Sequence, residues 1–514
     1  MSQSPQGPAV AVPASQPATP VVARIAKVGL SDYRAFPAGQ TYEFNLGDEG
    51  HNLLLFGENG SGKTSLFRAI RDLTAMKSPP ENFAESRHIF APGEEGFISV
   101  QLTAGAPSEF RWDHGDAHPR GTGGKPYADL AERCRFLDHY ALLETHFVHL
   151  HQPDAPNLFN LLVKEVLSDL PVIVDGKQER LGRVYERIAP PYGHWQKYLQ
   201  PLDKACEDLT TALANHLPEV VKEGNRLIAK MGYEGMTFDL KPAAVKYDRV
   251  DREFTGQEIS LSVTFFGKPI DHPQLFLNEA RLTALALAIY LGAARLVLQS
   301  PAPGSDGAII TRLLVLDDVL IGLDLANRLP VLKVLNDEFA DWQIILMTYD
   351  RVWYELAKEN TEHTGRWVYL TVRELPGAPD QPGRPHVEPS TEMLFVAEHH
   401  FQAGDLMAAA VYIRAAFETR LKNVCEKHGV PVQYNSRNIP ANSLWEGIVN
   451  RQKHRQAAGE INFLDPTLMN EVEMVRSTIL NRLSHSGTPT LVKDEVRFAL
   501  DTVKKLQQHQ FTKV

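Results

Sequence analysis

The run Gly57-Glu-Asn-Gly-Ser-Gly-Lys63-Thr64 fits the spacing G-x-x-x-x-G-K-[ST] in full. That pattern suits a grip on phosphate. Glycines let the loop fold so that backbone N–H groups face phosphate oxygens. Lys63 supplies charge for the β- and γ-phosphates of a nucleotide, and the Thr64 hydroxyl supplies a ligand for Mg²⁺. Gly57, Asn59, Gly60, Ser61, Gly62, Lys63, Thr64 and Ser65 are therefore the candidate nucleotide-binding residues, with ATP and Mg²⁺ as the expected cofactors. A helix opening near Gly62 would add its positive end. Such a site needs a second, acidic element. Leu313-Leu-Val-Leu-Asp317-Asp318 ends an apolar run in two carboxylates. Asp317 is expected to act on Mg²⁺, mainly through water.

A strand–loop–helix unit must hold these residues. Residues 51–56 read as an apolar strand entering the loop, and 65–72 as the helix leaving it. Residues 24–28 and 41–45 read as earlier strands, 96–104 and 109–112 as later ones. From 158 to about 230 the pattern turns helical, with breaks at Pro171, Pro190 and Pro191, giving a compact helical insertion. Residues 236–240 and 260–266 return to strand. A long helix over 279–298, a strand over 313–316, a helix over 325–339 and a strand over 343–347 follow. Strands apolar throughout, alternating with helices, predict an α/β fold whose sheet is covered on both faces. Pro376, Pro379, Pro382, Pro385 and Pro389 mark 376–390 as a stiff linker. Beyond it, 391–514 reads as an all-α bundle.

Bulk properties set the frame. The 514 residues, 43% of them hydrophobic, suffice for one large or two ordinary domains. A net charge of -10 gives no support for non-specific nucleic-acid binding, and leaves room for a local basic groove. The 3 cysteines, Cys134, Cys206 and Cys425, are far apart, and buried small hydrophobes are the expected reading for each. Residues 1–21, rich in Pro, Ala, Ser and Gln near the start, read as a disordered tail without a secretory pattern. The longest apolar stretch, 283–298, carries Tyr290 and Arg295 and fits a buried helix better than a membrane span. The expectation is a cytoplasmic protein with no membrane partner.

The order of phosphate loop, insertion, Leu277-Asn-Glu-Ala-Arg-Leu-Thr-Ala-Leu-Ala-Leu-Ala288, Asp317-Asp318 and Gly322-Leu-Asp324 resembles an ABC-class ATPase head of the SMC/RecF type, over about 22–375. The segment from Leu277 is similar to the signature L-S-x-G-E, with Asn278 for Ser and Ala280 for Gly. Asn keeps the oxygen that caps a helix. In this class the signature of one head completes the ATP site of another. The resemblance thus implies an ATP-sandwiched homodimer, or a higher oligomer, with Asn278, Glu279 and Asp324 at the contact. Asp318 stands where the class carries Glu, its general base for the attacking water, and so is implied as the base here; Tyr349 stands in Thr348-Tyr-Asp350 where the class carries His. Both departures imply slow hydrolysis, a switch more than a motor. In the setting His149-Leu-His-Gln152, Gln152 reads as a plain loop residue, with the Q-loop residue of the class as the other reading.

The tail brings a second resemblance. Ala403-Gly-Asp-Leu-Met-Ala-Ala-Ala-Val-Tyr-Ile-Arg414-Ala-Ala-Phe-Glu418 looks like the start of a HEPN-type helical bundle, broken at Gly404-Asp405. Arg414 and Glu418 share one helix face. With His485 they are similar to the Arg, Glu and His of PrrC/RloC-type anticodon nucleases, which join an ABC-class ATPase to a HEPN-type nuclease. This resemblance implies a dimeric ATP switch in prokaryotic nucleic-acid surveillance and anti-phage defence, with a tRNA-cleaving effector acting on RNA. The other reading is a RecF/SMC-like repair or scaffold ATPase that binds DNA or holds a separate nuclease partner.

Overall fold

A computed structural model describes residues 22–75, 83–90, 95–116, 119–121, 125–144, 157–188, 196–299, 311–375, 383–389, 393–432, 441–477, 491–509 and 511. They divide into two compact units between Glu388 and Pro389.

The first unit opens with β1 (Ile25–Ser31) and β2 (Tyr42–Asn45), followed by β3 (Asn52–Gly57) and α1 (Lys63–Thr74). Next come β4 (Phe97–Leu102), β5 (Glu109–Asp113), α2 (Lys125–Glu132), β6 (Cys134–Asp138) and α3 (His139–Glu144). After a π-helical turn at Asn160–Val166 the chain forms β7 (Pro171–Val174), β8 (Lys177–Arg180), α4 (Leu181–Glu186) and the 35-residue α5 (Gln196–Lys230). The insertion is therefore not purely helical: β7 and β8 pair as an antiparallel hairpin inside it. Asp175 and Gly176 make its turn with φ of 49° and 75°, the left-handed pair that a tight hairpin turn requires.

Then follow β9 (Met236–Pro242), β10 (Lys246–Asp248), β11 (Glu253–Thr255), β12 (Ile259–Phe265), β13 (Lys268–Ile270) and α6 (Pro273–Phe276). The unit closes with α7 (Glu279–Gln299), β14 (Leu313–Asp317), α8 (Leu325–Glu338), β15 (Gln343–Thr348), α9 (Arg351–Thr361), β16 (Trp367–Leu375) and β17 (Arg384–Pro389).

The central sheet runs β17-β16-β3-β15-β14-β6, and β16, β3, β15, β14 and β6 pair in parallel. Period-2 alternation explains why its strands are apolar on both sides. Leu53, Leu55, Leu313, Val315, Ile345 and Met347 join Leu66, Phe67 and Ile70 of α1 in one core. Leu54, Phe56, Leu314, Leu316, Ile344 and Leu346 face a second core with α5, α7, α8 and α9. Three strands of this sheet were not foreseen: β6, β16, and β17, which occupies part of the stretch read as linker.

A four-stranded antiparallel sheet, β2-β1-β4-β5, carries the first core's outer wall. Buried Gln343 stitches it to the central sheet. Its Oε1 accepts from Ile25 N at 2.7 Å, and its Nε2 donates to Ile25 O at 2.8 Å and His51 O at 2.9 Å. Asn52 Oδ1 accepts from Ile344 N at 3.0 Å beside it. Each bond saves a buried backbone group from going unpaired.

α7 is long and apolar enough to cross a membrane over Glu279–Val297, and 78% of that stretch is buried inside the protein, as in a core helix. α5 lies against it. Glu338 at the end of α8 binds Arg226 of α5 at 2.7 Å, Arg295 of α7 at 3.3 Å and also Lys230. The Arg226 hydrogen bond, aided by Lys230, holds its carboxyl down at about 2.

The second unit comprises α10 (Met393–Gln402), α11 (Leu406–Lys427), α12 (Ala441–Ala457), α13 (Pro466–Val475) and α14 (Lys493–Gln508). Its own core gathers Phe401, Ile413, Phe417, Leu421, Trp445, Val472, Leu500 and Val503. The break falls at Gly404-Asp405, and the Asp405 carboxylate caps α11 by accepting from Ala408 N at 3.0 Å.

Candidate functional site

β3 delivers the chain to Gly57, and the turn beyond it uses glycine where other residues fail. Gly62 has a φ of 107°, and a Cβ there would sit 3.1 Å from Phe36 Cζ. Left-handed backbone and a crowded neighbour both exclude a larger residue. The loop after β1 presses on this turn, with Ala35 N donating to Ser65 Oγ at 3.3 Å. Asn59 and Gly60 stay exposed at its outer edge.

Lys63 is 5% exposed and curls into the loop. Its Nζ donates to Gly57 O at 2.7 Å and Glu58 O at 3.2 Å, and lies 3.8 Å from Asp318 Oδ2. Thr64 Oγ1 donates to Asp317 Oδ2 at 2.7 Å, bridging the start of α1 to the end of β14 across 253 residues of sequence. The sequence-predicted Lys63, Thr64, Asp317 and Asp318 thus meet at one point.

Two buried oxygens there lack a hydrogen-bond partner, Asp317 Oδ1 and Ser61 Oγ. Buried polar atoms are normally paired. A carboxylate oxygen left open beside a threonine hydroxyl is a donor set for a hard divalent cation. A serine hydroxyl inside a loop with an adjacent ammonium suits a phosphate oxygen. These residues fit Mg²⁺ and a nucleotide triphosphate.

Burial raises the Asp317 carboxyl to about 6, with the Thr64 hydrogen bond opposing and the Asp318 charge adding to the rise. Burial also raises Asp318, opposed by Lys63 and by the Tyr349 N–H. Asp318 has a φ of 54°, a left-handed conformation that Asp tolerates better than most residues. Its N–H donates to Met347 O at 3.2 Å, and its Oδ1 accepts from Tyr349 N at 3.0 Å. That geometry aims the carboxylate at Lys63. The Tyr349 side chain stands 40% exposed. A cavity of about 10 Å³, the size of one water, lies behind Asp318 and is walled by Arg328, Thr348 and Trp353 among others.

β6 brings in residues that sequence reasoning missed. Asp138 pairs in register with Asp317 and adds to the rise in its carboxyl, while His139 opposes the rise at Asp318. Asp138 Oδ1 accepts from Ala141 N at 2.8 Å and so opens α3. The signal was present: Cys134-Arg-Phe-Leu-Asp138 ends a short strand in aspartate, as β14 does.

Asn278 Oδ1 accepts from Arg281 N at 3.0 Å, capping α7 at its exposed start next to Glu279. Asp324 is exposed and opens α8. Gly322 fits tightly against α7: a Cβ there would meet Thr283 Oγ1 at 2.4 Å and Glu279 Oε1 at 3.3 Å. The Asp324 loop and the start of α7 therefore form a second cluster. Among the described residues no hydrogen bond or ion pair links Asn278 or Glu279 to the phosphate loop.

In the helical unit, Arg414 Nε donates to Glu418 Oε1 at 2.9 Å along α11. His485 and Gln152 lie outside the described residues.

No family model matches the chain, and no curated protein matches it. Solved structures similar to it include an SMC head domain with an extended coiled coil, bound to the C-terminal domain of ScpA, from Pyrococcus furiosus. Identity there is 11%, covering 74% of this chain and 99% of that one, with a TM-score of 0.41. The SMC head domain from Thermotoga maritima is 13% identical, covering 72% and 99%, with a TM-score of 0.34. The recombination mediator protein RecF in the RecFOR pathway is 13% identical, covering 68% and 96%, with a TM-score of 0.38.

Proposed function

We propose that the first unit is an ATP-binding and hydrolysing head that switches a dimer, and that the helical unit carries its output. One observation supports this above the rest: Lys63, Thr64, Asp317 and Asp318 converge from two strands, with Asp317 Oδ1 and Ser61 Oγ left without protein partners. Gly57, Asn59, Gly60, Ser61, Gly62, Lys63, Thr64 and Ser65 would hold the phosphates, and Thr64 with Asp317 would hold Mg²⁺. The cation would draw off charge from the terminal phosphate. Asp318 would take the proton of an attacking water. Tyr349 borders it through its own N–H. The exposed Asn278, Glu279 and Asp324, unlinked to the loop of their own head, would complete the site of a second copy.

Burial of Asp317 gives this reading a pH signature. In the folded apo protein its carboxyl titrates at about 6, above the ordinary 3.8. The folded state then holds the proton more tightly than the unfolded one, so stability from this group is fullest at low pH and declines between about pH 4 and 6. Mg²⁺ must displace that proton. The thermal stabilisation given by Mg·ATP is expected to be larger at pH 7.5 than at pH 5. Asp317→Asn should raise the apo melting temperature at pH 7.5, corresponding to roughly 1–3 kcal/mol of relieved buried charge, while losing the Mg²⁺ response. Differential scanning fluorimetry at both pH values checks this. An equal Mg·ATP shift at the two pH values counts against Asp317.

For the output, we propose a nucleic-acid surveillance or repair role in the cytoplasm, with the helical unit binding DNA, RNA or a separate effector protein. The finer reading, a ribonuclease in anti-phage defence, rests on Arg414 and Glu418 sharing a helix face, an arrangement that an ordinary intrahelical pair also gives. It predicts new ends in total RNA incubated with protein and ATP, lost in His485→Ala. Cleavage unchanged by that substitution removes His485 from the chemistry.

A further inference from the structure

Arg328 sits on the first turn of α8, yet its guanidinium is buried, with the residue 8% exposed. A buried arginine is costly unless its donors are engaged. Here they reach three places. Nε donates to Leu323 O at 2.7 Å, Nη2 to Ile321 O at 3.4 Å, and Nη1 to Asp350 Oδ2 at 2.6 Å. Its flat face lies 5.8 Å from the ring centroid of buried Trp353.

These bonds join two loops that leave adjacent strands. One loop, after β14, runs from Asp318 through Ile321 and Gly322 to Asp324. The other, after β15, carries Tyr349 and Asp350. Each loop also bears on the reacting end of the site. Tyr349 N–H holds Asp318 Oδ1, and Gly322 packs on Thr283 and Glu279 at the start of α7. Asp350 does two jobs: one carboxylate oxygen accepts from Trp353 N at 3.0 Å to open α9, and the other pairs with Arg328. Arginine suits this position because its planar fork reaches two carbonyls and a carboxylate at once.

We propose that Arg328 is a positioning residue. It locks the Ile321–Asp324 loop to the Tyr349–Asp350 loop, so that Asp318 and the face offered to a second copy are set together. This rests on the ATPase reading above. Arg328 touches neither the phosphate loop nor Mg²⁺ ligands, so its loss separates hydrolysis from nucleotide binding.

The test compares wild type, Arg328→Met, Arg328→Lys and Asp350→Ser. Serine keeps an oxygen to cap α9 but cannot pair with Arg328, so it breaks the same link from the exposed side if Arg328→Met fails to fold. Titration with a fluorescent ATP analogue, steady-state kcat and KM, and melting temperature are read on each. Arg328→Met is expected to lower kcat at least about 10-fold while leaving nucleotide affinity within about 3-fold. Asp350→Ser should do the same, the double variant should be no worse than either single one, and Arg328→Lys should recover part of the loss. Unchanged kcat in Arg328→Met or Asp350→Ser overturns the proposal, as do kcat, affinity and melting temperature falling together. Wild-type protein that fails to bind ATP overturns the ATPase reading and this proposal with it. Wild-type hydrolysis matched by both variants overturns only the role of Arg328.

Discussion

Replacing Lys63 with alanine is expected to weaken ATP binding by at least about 100-fold. The Lys63 ammonium is buried, spans the loop through Gly57 O and Glu58 O, and lies 3.8 Å from Asp318 Oδ2. Charge-assisted hydrogen bonds contribute about 1.5–3 kcal/mol, and each 1.4 kcal/mol is tenfold in affinity. The substitution acts on two groups, and the first accounts for the lost affinity. The phosphates lose a fixed positive charge, and Asp318 loses the partner that favours its ionised form, so a carboxylate already pushed up by burial rises further. Titration with a fluorescent ATP analogue, with circular dichroism to confirm the fold, checks this. Affinity within a few-fold of wild type would show that the phosphates sit elsewhere.

Asp318→Asn is expected to act at the next step. A positioned general base contributes typically 10²–10⁴-fold, so hydrolysis should fall by about that factor while ATP still binds. Asparagine is the right probe for a backbone reason. Position 318 has a φ of 54°, and Asn shares with Asp the tolerance for that conformation. The loop and the hydrogen bond from Tyr349 N can persist while the base is gone. Phosphate release measured against an ATP-binding control separates the two steps. Hydrolysis within about 3-fold of wild type would mean that another group activates the water. Asp318→Glu is a less clean experiment, since glutamate is less at ease in left-handed backbone.

The glycine-rich loop, α1 and the apolar strands β3, β14 and β15 were legible because each obeys a strong local rule. Glycine spacing marks the loop, and unbroken apolar runs mark strands buried on both faces. β6 escaped because it is only Cys134–Asp138, with the charged Arg135 as its second residue. That arginine is buried, its Nε donating to Val166 O and its Nη1 to Cys134 O, partners that only tertiary structure reveals. β17 escaped because Pro385 and Pro389 argue against a strand, yet it ends the sheet order, and an edge strand tolerates proline. The hairpin inside the insertion carried its own signal, Asp175-Gly176, which the proline at the start of β7 obscured. Asn278 was legible as a cap from its residue type alone. The Arg328 link was not, because it spans 22 residues of sequence and depends on two strands lying side by side.

The Gln343 amide has a mechanical consequence. Through one side chain, β1, the entry to β3 and β15 are fastened at the same end. The two sheets behave there as a single stiff plate, with little slack for one to slide on the other. A push delivered at Lys63 or Asp318 would find little give between the sheets. The loops that hold Asp324 and Tyr349, tied to each other through Arg328, would then shift together with the helices they begin.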